Sequence, residues 1–133
     1  MKSKRNIFKL KTDKTMVFTV IGISSHENDY RLSWSINEQI GLAFSQTDSL
    51  IIDSEKEFSR FVHEDDEKRI TLVSNRCDNS FLLEKHKNLD YFLQFDTQLS
   101  ETEISEWLHD LKKVPLVSTA YQLPFDKKAG VIC

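Results

Sequence analysis

The apolar positions of this chain change period along its length, and each change marks an element. Residues Met16 to Ile23, MVFTVIGI, are apolar on successive positions and β-branched at several, which predicts a strand buried on both faces. Gly22, near its end, lets another backbone or a ligand approach closely. Upstream, Phe8 and Leu10 alternate with Lys9 and Lys11, so Ile7 to Lys11 is expected to be an edge strand whose lysines discourage lateral pairing. Leu32, Ile36 and Ile40 then recur at i, i+4 and i+8, with Tyr30 and Trp34 widening the stripe, which predicts a helix ending at Ile40. Ser24 with Glu27 fits a capping box, Asn28 or Asp29 offers another cap, and Gly41 stands where a left-handed terminus is wanted.

The pattern shortens after Gly41. Leu42 to Phe44 and Leu50 to Ile52 read as two brief strands separated by the turn-prone Ser45 to Ser49. Phe58 to His63 and Arg69 to Val73 flank the charged run His63 to Lys68, as the arms of a hairpin flank its exposed tip. Asp78-Asn79-Ser80 makes a further turn. Leu89, Tyr91, Leu93 and Phe95 alternate with Asp90, Phe92 and Gln94, which predicts a strand with Asp90 on its second face. The helix from Glu101 to Lys113 has the fullest signature. Ser100 and Glu103 form a capping box, Leu99 and Ile104 have hydrophobic-staple spacing, and Ile104, Trp107, Leu108 and Leu111 make the stripe. Pro115 stops it, and Leu116 to Leu123 follows as a last strand.

This order predicts an α+β fold: a single antiparallel or mixed sheet with both helices on one face. The nearest simple model is a ferredoxin-like βαβ…βαβ arrangement with an extra hairpin. Residues 1–133 read as a single domain, with 1–6 and 124–133 as loose ends. Nine Phe, three Tyr and two Trp supply a core without staples. Cys77 and Cys133 do not make a disulfide framework and read as reduced thiols, so the expected compartment is the cytoplasm. No apolar run is long enough to span a bilayer, and the basic start lacks the apolar core and cleavage site of a signal peptide. Residues 1–14 carry a net charge of +5 against a total of −3, so the remainder carries −8. That arm could meet nucleic acid, but with no stacking platform beside it a solvated edge is the simpler reading.

Three glycines cannot build a phosphate-cradling loop, and Walker, dinucleotide, HExxH, CxxC and nucleophile-elbow patterns are missing from the sequence. Ser24-Ser25-His26 reads as a polar helix start, and His63-Glu64-Asp65-Asp66-Glu67 as a solvated tip rather than a calcium loop. No metal or cofactor is expected, and no catalytic residue is assigned. What remains is a polar set, Asp29, Arg31, Asn37, Asn75, Arg76 and Asp90, with Tyr30, Trp34 and Tyr91 beside it. A carboxylate inside an apolar strand needs donors, so Asp90 should pair with Arg31 or Arg76. The candidate ligand-binding residues are Arg31, Trp34, Asn37, Asn75, Arg76, Asp90 and Tyr91. One reading is an ion pair that fixes helix on sheet; the other is a small pocket with an anion-binding arginine and aromatic walls.

Gly22-Ile23-Ser24 through Asp29-Tyr30-Arg31-Leu32, Trp34, Ile36-Asn37 and Gly41-Leu42, and then Asn75-Arg76 through Leu83 to Leu89-Asp90-Tyr91-Phe92-Leu93, resemble two blocks of the bacterial IPExxxVDY family. Asp90 and Tyr91 match the naming motif, while Leu83 stands for Ile, Glu84 for Pro, Lys85 for Glu and Leu89 for Val. The resemblance implies a small cytoplasmic bacterial protein and brings no activity, substrate or catalytic residue. The leading functional expectation is a non-catalytic binding or regulatory and interaction domain, as a homodimer or with a protein or small-molecule partner, and without a membrane role. The alternatives are an enzyme using Asp90 with Arg31 or Arg76, and nucleic-acid binding through the basic arm.

Overall fold

The strand expected at Met16 to Ile23 is β1, Thr19–Ser24, in a computed structural model that describes residues 19–52, 56–77 and 80–123. It lies inside a sheet, antiparallel to β7, Tyr91–Phe95, on one side and to β8, Thr119–Leu123, on the other. Both its edges are therefore paired, and Thr19 to Ile23 are all buried, so both faces are covered as the apolar run requires. The sheet continues from β7 to β4, Arg69–Ser74, then β3, Lys56–Glu64, and ends at β2, Ser45–Ile52, giving the order β2-β3-β4-β7-β1-β8. Every neighbouring pair is antiparallel.

Helices α1, Asp29–Ile40, and α2, Glu101–Lys112, lie on one face. Leu32 and Ile36 of α1 and Leu111 of α2 share a cluster with Ile21, Ile23, Leu72, Leu93 and Phe95. Asn28, and not the Ser24–Glu27 box, caps α1, accepting from the Arg31 N–H at 2.9 Å, because the helix begins only at Asp29; Gly41 closes it at φ 84°. Ser100 and Glu103 complete the box of α2 at 3.1 and 2.9 Å. Tyr30 and Trp34 do not extend the buried stripe: they are 66% and 64% exposed, on the outer side of α1.

The strands' alternate side chains, Val20, Phe58, Val73, Phe92 and Leu123, form a second cluster on the opposite face. Among the described residues no helix covers that face. It is roofed by the excursion from Asn75 to Asp90, which contains a second, two-stranded sheet of β5, Arg76–Cys77, and β6, Ser80–Phe81, followed by a 3-10 turn, Glu84–His86. Cys77, Leu82 and Leu83 pack beneath it. The expected single sheet is thus two, because the chain needs an apolar lid on a face the helices leave bare.

Asn75 holds this roof in place. It is fully buried, and each of its polar atoms is used. Its N–H donates to the Asp90 carbonyl at 2.8 Å, and its carbonyl accepts from Leu82 at 2.9 Å. Its side-chain oxygen accepts from the Leu83 N–H at 2.8 Å, and Nδ2 donates to the carbonyls of His86, at 3.0 Å, and Leu89, at 2.9 Å. The far end of the roof is Leu89, fully buried over Gly22, where an added Cβ would run into the leucine side chain. The close approach at Gly22 is thus made by the Leu89 side chain, not by the backbone or ligand expected there.

Three boundaries move. Ser45 to Ser49 is not a turn but part of the continuous edge strand β2, with a register shift between Thr47 and Leu50. An edge strand with an exposed side tolerates polar residues, and the irregularity absorbs the turn-like ones. The last strands begin later than expected, at Tyr91 and Thr119, because Leu89 belongs to the roof and residues Val114 to Val117 make a tight turn after α2. The edge strand expected at Ile7 to Lys11, and the ends 1–6 and 124–133, lie outside the described residues.

Candidate functional site

Asp90 enters β7 at the end of the sheet where β1 and β4 finish. The chain after β1 wraps round its carboxylate. Oδ2 accepts from the Ser25 backbone N–H at 2.8 Å and from the Ser24 hydroxyl at 3.4 Å. Oδ1 accepts from Arg76 Nε at 2.6 Å. The Asp90 side chain is 12% exposed and that of Arg76 is 52%, so the pair spans the boundary between interior and solvent. Ser74 ties the arginine's backbone from both sides, its hydroxyl accepting from the Arg76 N–H at 3.1 Å and donating to its carbonyl at 3.0 Å. The guanidinium lies 5.1 Å from the centre of the Phe81 ring, a cation–π contact.

Tyr91 follows. Its hydroxyl donates to the Glu27 carbonyl at 2.7 Å, which ties β7 to the loop before α1. Burial, reinforced by the Asp29 and Asp90 carboxylates, pushes that hydroxyl above the usual tyrosine range, so it remains a donor. Ser25, His26 and Glu27 close one wall of a cleft of about 240 Å3, and Ser74, Arg76, Asp90 and Tyr91 the other. Among the described residues no hydrogen bond joins His26 to Ser24 or Ser25, so the three do not act as a triad fragment.

Of the seven candidates, Arg76, Asp90 and Tyr91 meet in this cleft. Arg31 is not Asp90's partner: it reaches Glu27 at 3.4 Å and is 65% exposed, a weak surface pair. Asn75 is sealed behind Asp90 as the roof clamp. Asn37 clamps the loop after α1, exchanging two hydrogen bonds with the Phe44 backbone at 2.8 and 3.1 Å. Trp34 stands on the outer face of α1. The cleft residues outside the set are Ser25, His26, Glu27 and Ser74; the Ser25 N–H donates to Asp90 and the Glu27 carbonyl accepts from Tyr91, both through the backbone. Side-chain chemistry in the sequence carries no signal of that use.

At the hairpin tip Asp65 accepts from the backbone of Glu67, at 2.8 Å, and Lys68, at 3.0 Å, and contacts His63 at 3.1 Å. Those donors hold its carboxyl well below the usual range. The tip's carboxylate thus closes its own turn. Among the described residues no group of three or more His, Cys, Asp or Glu is placed to hold a metal ion. None of their helices is long and apolar enough to cross a membrane. A second cleft, about 270 Å3, opens at the other end of the sheet between Lys68, Leu99, Glu103 and Trp107. Of its charged groups, Glu103 is engaged in the α2 cap and Lys68 with Asp65 at 3.6 Å. Comparison with protein-family models, curated proteins and solved structures returns no match, so geometry alone carries the functional reading.

Proposed function

We propose that this chain is a non-catalytic binding domain whose cleft takes a small ligand bearing a carboxylate. The observation that carries the reading is the posture of Arg76. Asp90 holds it through Nε and the guanidinium lies over the Phe81 ring, which fixes its position while the side chain stays half exposed at the cleft. A fixed guanidinium recognises a planar anion with little loss of side-chain freedom. Among the described residues the Glu27 carboxylate on the cleft wall is held only by its exposed pair with Arg31, so a ligand with a donor besides its carboxylate, such as an amino acid, complements both groups. At about 240 Å3 the cleft suits something of that size rather than a large cofactor.

The test is thermal unfolding with acetate, inorganic phosphate and the common L-amino acids as probes, on wild type and Arg76→Gln. A ligand that binds the native state raises the midpoint in proportion to the logarithm of its concentration. The expected result is a rise for at least one carboxylate probe in wild type and none in Arg76→Gln, each protein judged against its own unliganded midpoint. No rise with any probe, or equal rises in both proteins, sinks the reading.

The enzyme alternative has weaker support. Arg31 is engaged by Glu27, and both oxygens of Asp90 accept hydrogen bonds, the arrangement of a positioning carboxylate rather than an accessible base. Nucleic-acid binding rests on residues 2–14, which lie outside the described residues; it predicts salt-sensitive binding lost on their deletion. A ferredoxin-like lineage with an extra hairpin is supported by topology. β7 and β8 run the same way on either side of β1 with α2 between them in sequence, and β1 and β2 run the same way across α1. The cytoplasmic compartment and the likeness to the IPExxxVDY family belong to the same proposal.

A further inference from the structure

The outer face of α1 carries two large aromatic side chains that the fold does not use. Tyr30 and Trp34 are 66% and 64% exposed, one helical turn apart. Tyr30 rests an edge on Phe61, with ring centres 5.9 Å apart, which fixes its position without covering it. Exposed aromatics of this kind are the side chains that most often anchor protein interfaces. Their flank is charged in a regular way. Arg31 and Glu38 are both exposed and seven residues apart, so they lie in one row beside the aromatic pair, about 10 Å apart along the axis. The midpoint of that row falls next to Trp34.

This arrangement complements itself. We infer that two copies of this chain associate through α1, antiparallel about a two-fold axis beside Trp34. Such an axis keeps each helix's charged flank on the same side, so each Arg31 faces the Glu38 of the other copy and the two Trp34 rings meet at the centre. A parallel arrangement would not bring the row onto itself. Arg31's present partner, Glu27 at 3.4 Å, is an exposed pair that is easily exchanged. A single helix face is at the small end of specific interfaces, so the dimer is reversible and salt-sensitive. The inference is independent of the cleft and of what binds there.

Sedimentation equilibrium of the full chain from about 10 µM to about 1 mM tests it, a range that spans weak association. Wild type is expected to dimerise within that range. Arg31→Glu and Glu38→Arg each set like charges against one another and are expected to weaken the dimer by more than about tenfold. Arg31→Glu with Glu38→Arg together restores opposite charges and should return the constant to within about threefold of wild type. Trp34→Ala should abolish association. Circular dichroism of each variant, unchanged because all three sites are exposed, guards against misfolding. A monomer throughout the range overturns the inference. So does a dimer indifferent to Trp34→Ala, or a double variant no tighter than either single one.

Discussion

The two faces of the sheet are covered by different means. On one, two helices of 12 residues each lay apolar stripes across five strands, and the cluster they close has more than a dozen buried members. On the other, a short excursion of irregular chain does the covering, held by one buried amide and one missing side chain, Asn75 and Gly22. The first face is stabilised by area, which spreads the effect of any one change; burial of each apolar side chain contributes roughly 1.5–3 kcal/mol. The second relies on a few geometric particulars, each with no substitute nearby. The cleft sits at the seam, where the excursion leaves the sheet at Arg76 and returns at Asp90.

The sharpest way to break that contrast is Asn75→Ala. It strands the Leu83 N–H and the carbonyls of His86 and Leu89 in a buried site, at about 1 kcal/mol or more each, so a loss of about 3 kcal/mol in chemical denaturation is expected. Leu32→Ala on the helical face should cost a similar amount by leaving a cavity. Amide exchange separates them: Asn75→Ala should speed exchange at Leu83 and Leu89, and Leu32→Ala should leave those two amides alone. Equal effects on both amides would mean the faces are not independent.

Gly22→Ala comes next, at about 1–3 kcal/mol from overpacking against Leu89. Combined with Leu89→Val, the loss should be smaller than the two single losses added, by more than about 0.5 kcal/mol; strict additivity would remove Leu89 as the obstacle. Asp90→Asn should lower stability by more than about 1 kcal/mol, since it discharges the Arg76 pair and weakens the Ser25 bond. Unchanged denaturant and thermal midpoints would refute this. The smallest effect is expected away from both faces, at Asp65. Its carboxyl in the folded protein titrates below its ordinary value of 3.8, so its contribution is complete above about pH 4 and fades as pH falls through the folded value. The gap between wild type and Asp65→Asn should therefore narrow on acidification below pH 4; a gap that widens would reverse the sign of the assignment.

What the sequence discloses follows the same division. The helical face repeats at helical period and announces its caps, so both helices, Gly41, the Ser100–Glu103 box and the hairpin are legible from pattern alone. The demand of Asp90 for a donor is legible too, and Arg76 meets it. The roof is not, because nothing repeats in it. Asn75 beside Arg76 looks like part of a polar site, and only the fold shows that one is sealed and the other open. Tyr30 and Trp34 are read as core because they are aromatic on a helix whose apolar stripe is narrow, and periodicity cannot say which side of a narrow stripe is turned outward. Ser45 to Ser49 reads as a turn because composition reports local preference, whereas an edge strand is held by its neighbour, Lys56–Glu64.

The place of β1 in the sheet has a consequence for how the molecule is made. Thr19–Ser24 is synthesised before either of the strands it pairs with, Tyr91–Phe95 and Thr119–Leu123. The helices and the β2-β3-β4 meander can form from local contacts as they leave the ribosome, but the middle of the sheet stays open until Phe95 has emerged, and the outer side of β1 stays unpaired until Leu123 follows. Through that interval a β-branched, apolar segment has no partner of its own, and such non-local pairing is slow. The growing chain's exposure to chaperones and to misassociation is set first by the synthesis of β7 and then by that of β8.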